Sequence, residues 1–285
     1  MNTTLGIGWR EARVNAADGT GIVVYETGST AHDARTIVFV HGLGHWTQAA
    51  WDSLVPLLDP SLRVIAFDLP GFGRSDKPDA RYDTAFFAAA IGSVIDAVAP
   101  ARFVLCGHSL GGYIAANYAA THPERVERLI LIAPAGFLRA ARFVYVLLGS
   151  QLARWLFTRR PGRGFVNRSL DQSVYAPASV TPAIRETAFA YALQPHVRRA
   201  FAAVYTGAIQ DFRDAAGVAR RLRGWTGPTL IIWGRYDRFI PIKALAPTHA
   251  VYPQAQVLLC ERSGHLPMVE EAPLVAATVA QFLAQ

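Results

Sequence analysis

Six short segments of this chain are apolar along almost their whole length: TIVFV (36–40), RVIAFD (63–68), RFVLC (102–106), VERLILI (126–132), PTLIIW (228–233) and AQVLLC (255–260). A strand with one wet face alternates apolar and polar residues, whereas unbroken runs of this length fit strands covered on both faces. Helical patterns fill the intervals, over about 47–58, 84–98, 110–121, 242–249 and 273–284. Two further strand-like stretches, WREARVNA (9–16) and GIVVYETG (21–28), come first and are joined by a turn at Asp18-Gly19. Strand and helix in alternation predict an α/β protein with a mostly parallel sheet flanked by helices.

The alternation fails between residues 136 and 224. This stretch has no convincing buried strand and is punctuated by Pro161, Gly162, Gly164, Pro177, Pro182 and Pro195. It reads as a helical cap inserted into a core domain made of residues 1–135 and 225–285. Ligand sites of α/β sheets lie at the carboxyl ends of the strands, and a cap there would roof one. The insertion is also where the charge sits. It holds 14 arginines, no lysine and four acids (Asp171, Glu186, Asp211, Asp214), a net +10 against −3 for the rest of the chain. A solvated basic surface is the plain reading. An acidic substrate, or weak contact with a membrane surface, are the functional ones. Arg139, Arg142, Arg154 and Arg185 are the candidates to meet a substrate carboxylate. No recognition motif accompanies the charge, so nucleic acid is not an expected partner.

At 52% hydrophobic residues over 285 positions, the chain can bury a large core and is not of disordered composition. Cys106 and Cys260 each end a strand-like run and are expected as buried, reduced thiols. The histidines are scattered without metal-ligand spacing, so neither a metal nor an organic cofactor is expected. No signal peptide is read at the beginning, and the apolar stretch 143–157 is too short and too interrupted to span a membrane, which makes a cytoplasmic location the expectation. The oligomeric state is left open.

The chemistry concentrates in LCGHSLGGYIAANYA. Gly107-x-Ser109-x-Gly111 stands between a buried strand and a helix. A turn that lifts the serine hydroxyl clear of a sheet strains the backbone and brings its neighbours into contact, which suits residues without Cβ on either side. A serine at its ordinary pKa needs a base, and the base needs an orienting acid. Asp237 follows the strand 228–233, and His265 follows the strand 255–260. Asp211 and Asp214 are rivals for the acid but belong to the insertion. The turn VFVHGLGHWTQ leaves the strand 36–40, and the backbone N–H groups of Leu43 and Leu110 are the expected oxyanion donors, each worth about 10²–10³ in rate. Leu43 as a plain lining residue is the alternative. His41, His45 and His108 lie too close along the chain to these turns to take the separate base position, and are read as loop braces or pocket lining. Asp68 and Arg74, in FDLPGFGRSDKP, are read as scaffold.

HGLG, DLPGFGRSDKP, GHSLGG, GRYDRFIP and GHLPMVEEAP together resemble the α/β-hydrolase superfamily in its capped branch, over nearly the whole chain. The resemblance implies an eight-stranded sheet, a Ser109–His265–Asp237 triad, backbone oxyanion donors and a helical lid between the sixth and seventh strands. Ser109 argues against relatives that use an aspartate nucleophile. The carbon–carbon bond hydrolases of aromatic ring-cleavage products are similar too, but typically carry Trp after the catalytic His and Asn before the Ser. Here those positions are Leu266 and His108.

The main expectation is a serine hydrolase that cleaves carboxylic esters through an acyl-enzyme on Ser109, acting on a small to medium apolar ester. The alternatives are a carbon–carbon bond hydrolase of acidic ring-cleavage products, a lipase acting at an anionic lipid surface, and a non-catalytic ligand receptor that retains the triad.

Overall fold

The computed structural model describes residues 7–137 and 147–285. Among them, eight strands form one sheet in the order β1-β2-β4-β3-β5-β6-β7-β8. The strands are β1 (Arg10–Asn15), β2 (Gly21–Gly28), β3 (Thr36–Val40), β4 (Arg63–Phe67), β5 (Phe103–His108), β6 (Val126–Ile132), β7 (Thr229–Gly234) and β8 (Gln256–Cys260). The first hairpin and the β2–β4 pair are antiparallel, and every pairing from β4 to β8 is parallel. The six continuous apolar runs are the six parallel strands, and β3, β5 and β7 are buried along their whole length.

Successive residues of a strand point to opposite faces, so each run feeds two cores. Val38 and Val40 join one cluster with Phe87, Ile91, Tyr113 and Leu222, while Ile37 and Phe39 join the other with Trp51, Met268, Val279 and Phe282. The helices of the described residues are α1 (Thr47–Trp51), α2 (Thr84–Val98) and α3 (Leu110–Thr121), then, after the strand β6, α4 (Gln151–Phe157), α5 (Arg163–Ser173), α6 (Pro182–Ala192), α7 (Pro195–Thr206) and α8 (Ala215–Leu222). After β7 come α9 (Leu245–Val251), α10 (Pro267–Glu270) and α11 (Ala272–Leu283). The helix expected over 47–58 is interrupted. It ends at Trp51, and a 3-10 turn, Val55–Leu57, follows with Pro56 inside it. The proline ring disfavours helical backbone at the preceding residue and removes a donor, which accounts for the break. The reading of 242–249 as one helix likewise divides into a 3-10 turn, Ile242–Ala244, and α9.

Parallel register brings the carboxyl ends of the strands to one edge. Val40 pairs with Gly107, His108 with Ile132, Ile132 with Ile232, and Gly234 with Cys260. The loops after β3, β5, β7 and β8 therefore open side by side. Trp233 fixes one of them: it is fully buried at the end of β7, and its indole N–H donates to the carbonyl of Ile240 at 2.9 Å. Trp233→Ala removes both the packing and that anchor. It is expected to lower the unfolding free energy by about 3–5 kcal/mol, measurable by urea denaturation.

Candidate active site

Ser109 follows β5 and caps α3 with φ 54° and ψ −120°, a left-handed conformation rare for a residue with a Cβ. Three backbone bonds hold it there. Its N–H donates to the Ile132 carbonyl at 2.9 Å, and its own carbonyl accepts from the N–H groups of Tyr113 and Ala135 at 3.1 and 2.9 Å. The side chain makes no capping hydrogen bond, so the hydroxyl stays clear of the helix it precedes. The flanking glycines are required by contact. A Cβ on Gly107 would lie 2.4 Å from the Gly111 carbonyl oxygen, and one on Gly111 would lie 2.4 Å from the carbonyl oxygens of both Val40 and His41. The same crowding brings the loop after β3 against the serine: a Cβ on Gly42 would stand 3.0 Å from that of Ser109. Leu43 and Leu110, whose N–H groups are the expected oxyanion donors, thus follow two backbones in close approach. Leu110 opens α3, where N–H groups lack intrahelical partners and the helix dipole favours negative charge.

Asp237 and His265 meet. Nδ1 of His265 donates to Oδ2 of Asp237 at 2.7 Å, with both side chains buried. Oδ1 of Asp237 accepts from the N–H groups of Phe239 and Ile240, each at 2.8 Å. Three donors thereby hold the carboxylate, and the proton on Nδ1 leaves Nε2 as the imidazole nitrogen with a lone pair. The ring lies between His108 at 4.7 Å and Phe239 at 5.5 Å, centroid to centroid.

The rival groups are engaged elsewhere. His41 donates from Nδ1 to the Gly42 carbonyl and accepts at Nε2 from the Leu69 N–H. With both nitrogens occupied it is a neutral brace between two loops. His108 uses Nε2 to donate to the carbonyl of His265 at 2.9 Å, tying the residue before Ser109 to the loop of the imidazole. Burial lowers the pKa of all three neighbouring histidines, His45 to about 3 and His108 well below the ordinary value, with the other histidines adding to the effect on these two. Asp68 accepts from the N–H groups of Thr47 and Arg74 and from the Tyr25 hydroxyl, while the Arg74 guanidinium pairs with Glu11. Asp211 accepts from Thr84 and Tyr113 at 2.6 and 2.8 Å, and Asp214 caps α8.

Segments between β6 and β7 close over this edge. Phe201 lies 3.3 Å from the Cβ position of Gly44, and the rings of Tyr191 and Trp46 are 5.7 Å apart. Two of the arginine candidates, Arg139 and Arg142, lie outside the described residues. Arg185 is bound to Asp171 and to the carbonyls of Val180 and Pro177, and Arg154 is exposed.

One brace was not read from the sequence. Glu270 accepts from the N–H of Gly264 with one oxygen and from those of Tyr175 and Ala176 with the other. The His265 N–H donates to the Ser173 carbonyl at 2.7 Å. Residues 173–176 are thereby stitched to the loop that carries His265. The acidic pair in PMVEEAP was the available signal, but it does not say which backbone it will meet. Glu270→Ala leaves three donors without their acceptor. A loss of about 1–3 kcal/mol in stability is expected, with a fall in kcat larger than any rise in KM, in denaturation and steady-state assays.

The three neutral histidines also set an acid limit. Their folded pKa values lie below the unfolded value of about 6.5, so below that pH the unfolded chain binds more protons and stability falls as pH falls. Stability from this source is complete above about pH 6.5 and declines by up to about 1.4 kcal/mol per pH unit for each histidine below it. Urea midpoints measured from pH 8 to pH 5 should drop mainly in the lower half of that range.

The fold and the chain order Ser, Asp, His define the class. The chain belongs to the α/β-hydrolase fold family, whose profile matches residues 35–272. It is 30% identical over 274 residues to a 2-hydroxymuconate semialdehyde hydrolase of a Pseudomonas species (strain CF600), covering 94% of each chain. Among solved structures it resembles a meta-cleavage product hydrolase from Pseudomonas fluorescens IP01, with a TM-score of 0.80 at 23% identity over 96% of this chain and 97% of that one. It also resembles a bacterial membrane phospholipase A, with a TM-score of 0.75 at 29% identity over 97% and 86%.

Proposed function

We propose that the chain is a serine hydrolase acting on carbon–carbon bonds of acidic, vinylogous diketones such as arise from aromatic ring cleavage. The observation that carries this reading is the end-to-end similarity to a 2-hydroxymuconate semialdehyde hydrolase. The ordering of the main expectation and its first alternative is therefore reversed. Leu266 and His108 depart from the Trp and Asn typical of those hydrolases, and His108 lies against the catalytic imidazole, its ring 4.7 Å from that of His265 and its Nε2 on the His265 carbonyl.

Nε2 of His265, oriented by Asp237, takes the Ser109 proton as Oγ adds to the ketone carbon. The Leu43 and Leu110 N–H groups receive the oxyanion. Collapse of the adduct breaks the adjoining carbon–carbon bond, and its electron pair passes into the conjugated carbonyl system of the leaving fragment. His265 returns the proton to that fragment, leaving an acyl group on Ser109. A water deprotonated by the same nitrogen displaces the acyl group as a carboxylic acid, so one water is consumed per bond. The buried neutral neighbours suit this cycle, because a cationic His45 or His108 would repel the imidazolium that forms.

The same groups would hydrolyse a carboxylic ester, with an alkoxide in place of the carbon leaving group. The likeness to a membrane phospholipase A at 29% identity supports that second reading. Competing assays separate the two. A kcat/KM at least about 100-fold higher for a 2-hydroxy-6-oxo-dienoate than for p-nitrophenyl butyrate is the expected result, and the reverse ratio favours the ester. In either case Ser109→Ala should lower kcat by about 10⁴–10⁶-fold while the thermal midpoint stays near that of the parent. Retained turnover would remove Ser109 from the nucleophile's role.

A further inference from the structure

The helix α4 is amphipathic in two directions. Ala153 and Phe157, one turn apart, face inward: Ala153 is buried, and Phe157 stacks on Tyr205 of α7 at 4.5 Å and meets Phe201 at 5.9 Å. Leu152, Trp155 and Leu156 have the spacing of a second helix face, and they are 61%, 51% and 54% exposed. Leu147 before the helix and Phe165 after it are 58% and 71% exposed. Five large apolar side chains thus stand in solvent within 19 consecutive residues, a clustering that marks an interaction surface where scattered single residues would not.

The charge along this segment has one sign. From Leu147 to Leu170 the chain carries Arg154, Arg159, Arg160, Arg163 and Arg168 and no acid. Arg163 is offset by Glu186 of α6, and Arg185 behind it is offset by Asp171. Arg154, Arg159, Arg160 and Arg168 are exposed. The Arg159 guanidinium sits 3.8 Å over the Trp155 ring, so an apolar plane and a cation present themselves together.

We propose that this face of α4 docks on an anionic lipid bilayer, with Leu152, Trp155 and Leu156 seated among the headgroups and the arginines on lipid phosphates. Tryptophan and leucine beside arginine on a short surface helix is the composition of an interfacial anchor, because long arginine stems reach headgroups while the apolar face sinks a few ångströms. A second copy of the chain fits poorly, since a two-fold contact would set the same arginines against each other. Among the described residues no helix is long and apolar enough to cross a membrane, so the contact is a surface one. It does not depend on which bond the site cleaves.

Flotation of the full chain with phosphatidylcholine vesicles, with or without 30% phosphatidylglycerol, tests it. Binding to the anionic vesicles only, weakening as salt is raised, is expected. Arg159→Gln with Arg160→Gln should weaken it about 25-fold, at about fivefold per arginine. Leu152→Ser, Trp155→Ser and Leu156→Ser together should abolish it, with hydrolysis of a soluble substrate kept as a check on folding; if that triple variant fails to fold, the arginine pair decides. No binding by the parent chain overturns the proposal, as does undiminished binding by the arginine pair. So does a dimer in size-exclusion chromatography that the triple variant dissolves.

Discussion

Everything at this edge of the sheet depends on a steric contact between backbones. Gly111 can carry no side chain because the carbonyls of Val40 and His41 already occupy the space, and Gly107 meets the carbonyl of Gly111 in the same way. Two strands, β3 and β5, and the helix α3 are thereby pressed together around one serine. The left-handed conformation of Ser109, which costs about 1–3 kcal/mol, persists because its N–H and carbonyl are fixed by β6, α3 and the loop at Ala135. The energy that holds the strain comes from the continuous apolar strands on either side, which are covered on both faces.

Electrostatics divide the four histidines at the edge. Three sit in a dry environment that keeps them neutral, and two of these have hydrogen-bond patterns that fix the tautomer. His265 alone among them holds a carboxylate at Nδ1. Burial disfavours the cation of an imidazole without such a partner, and for His41 it outweighs even the nearby Asp68 charge, so nearness to the serine along the chain is not what distinguishes a base from a brace.

The sequence showed the sheet, the elbow and the Asp237–His265 pair because each is encoded locally: in apolar runs, in glycine spacing and in a strand's carboxyl end. It did not show where the arginines of the insertion would go. Arg185 is held by an aspartate fourteen residues away and by carbonyls that no periodicity announces, and Arg221 reaches Asn117 and Tyr113 across more than a hundred residues. The break in the expected helix 47–58 is legible in Pro56, whose ring and missing N–H oppose a continuous helix there. The stitching of residues 173–176 to the His265 loop was not legible, because it is made through backbone atoms and one glutamate, whose partners depend on the closed fold.

That stitching has a mechanical consequence. The strap at Ser173 is bonded to the His265 N–H itself, and Glu270 bonds the same strap to the residue before it. Lifting the strap away from the sheet would pull on the backbone of the imidazole. The position of residues 173–176 and the alignment of the His265 ring are therefore mechanically coupled, so a displacement of one is felt by the other.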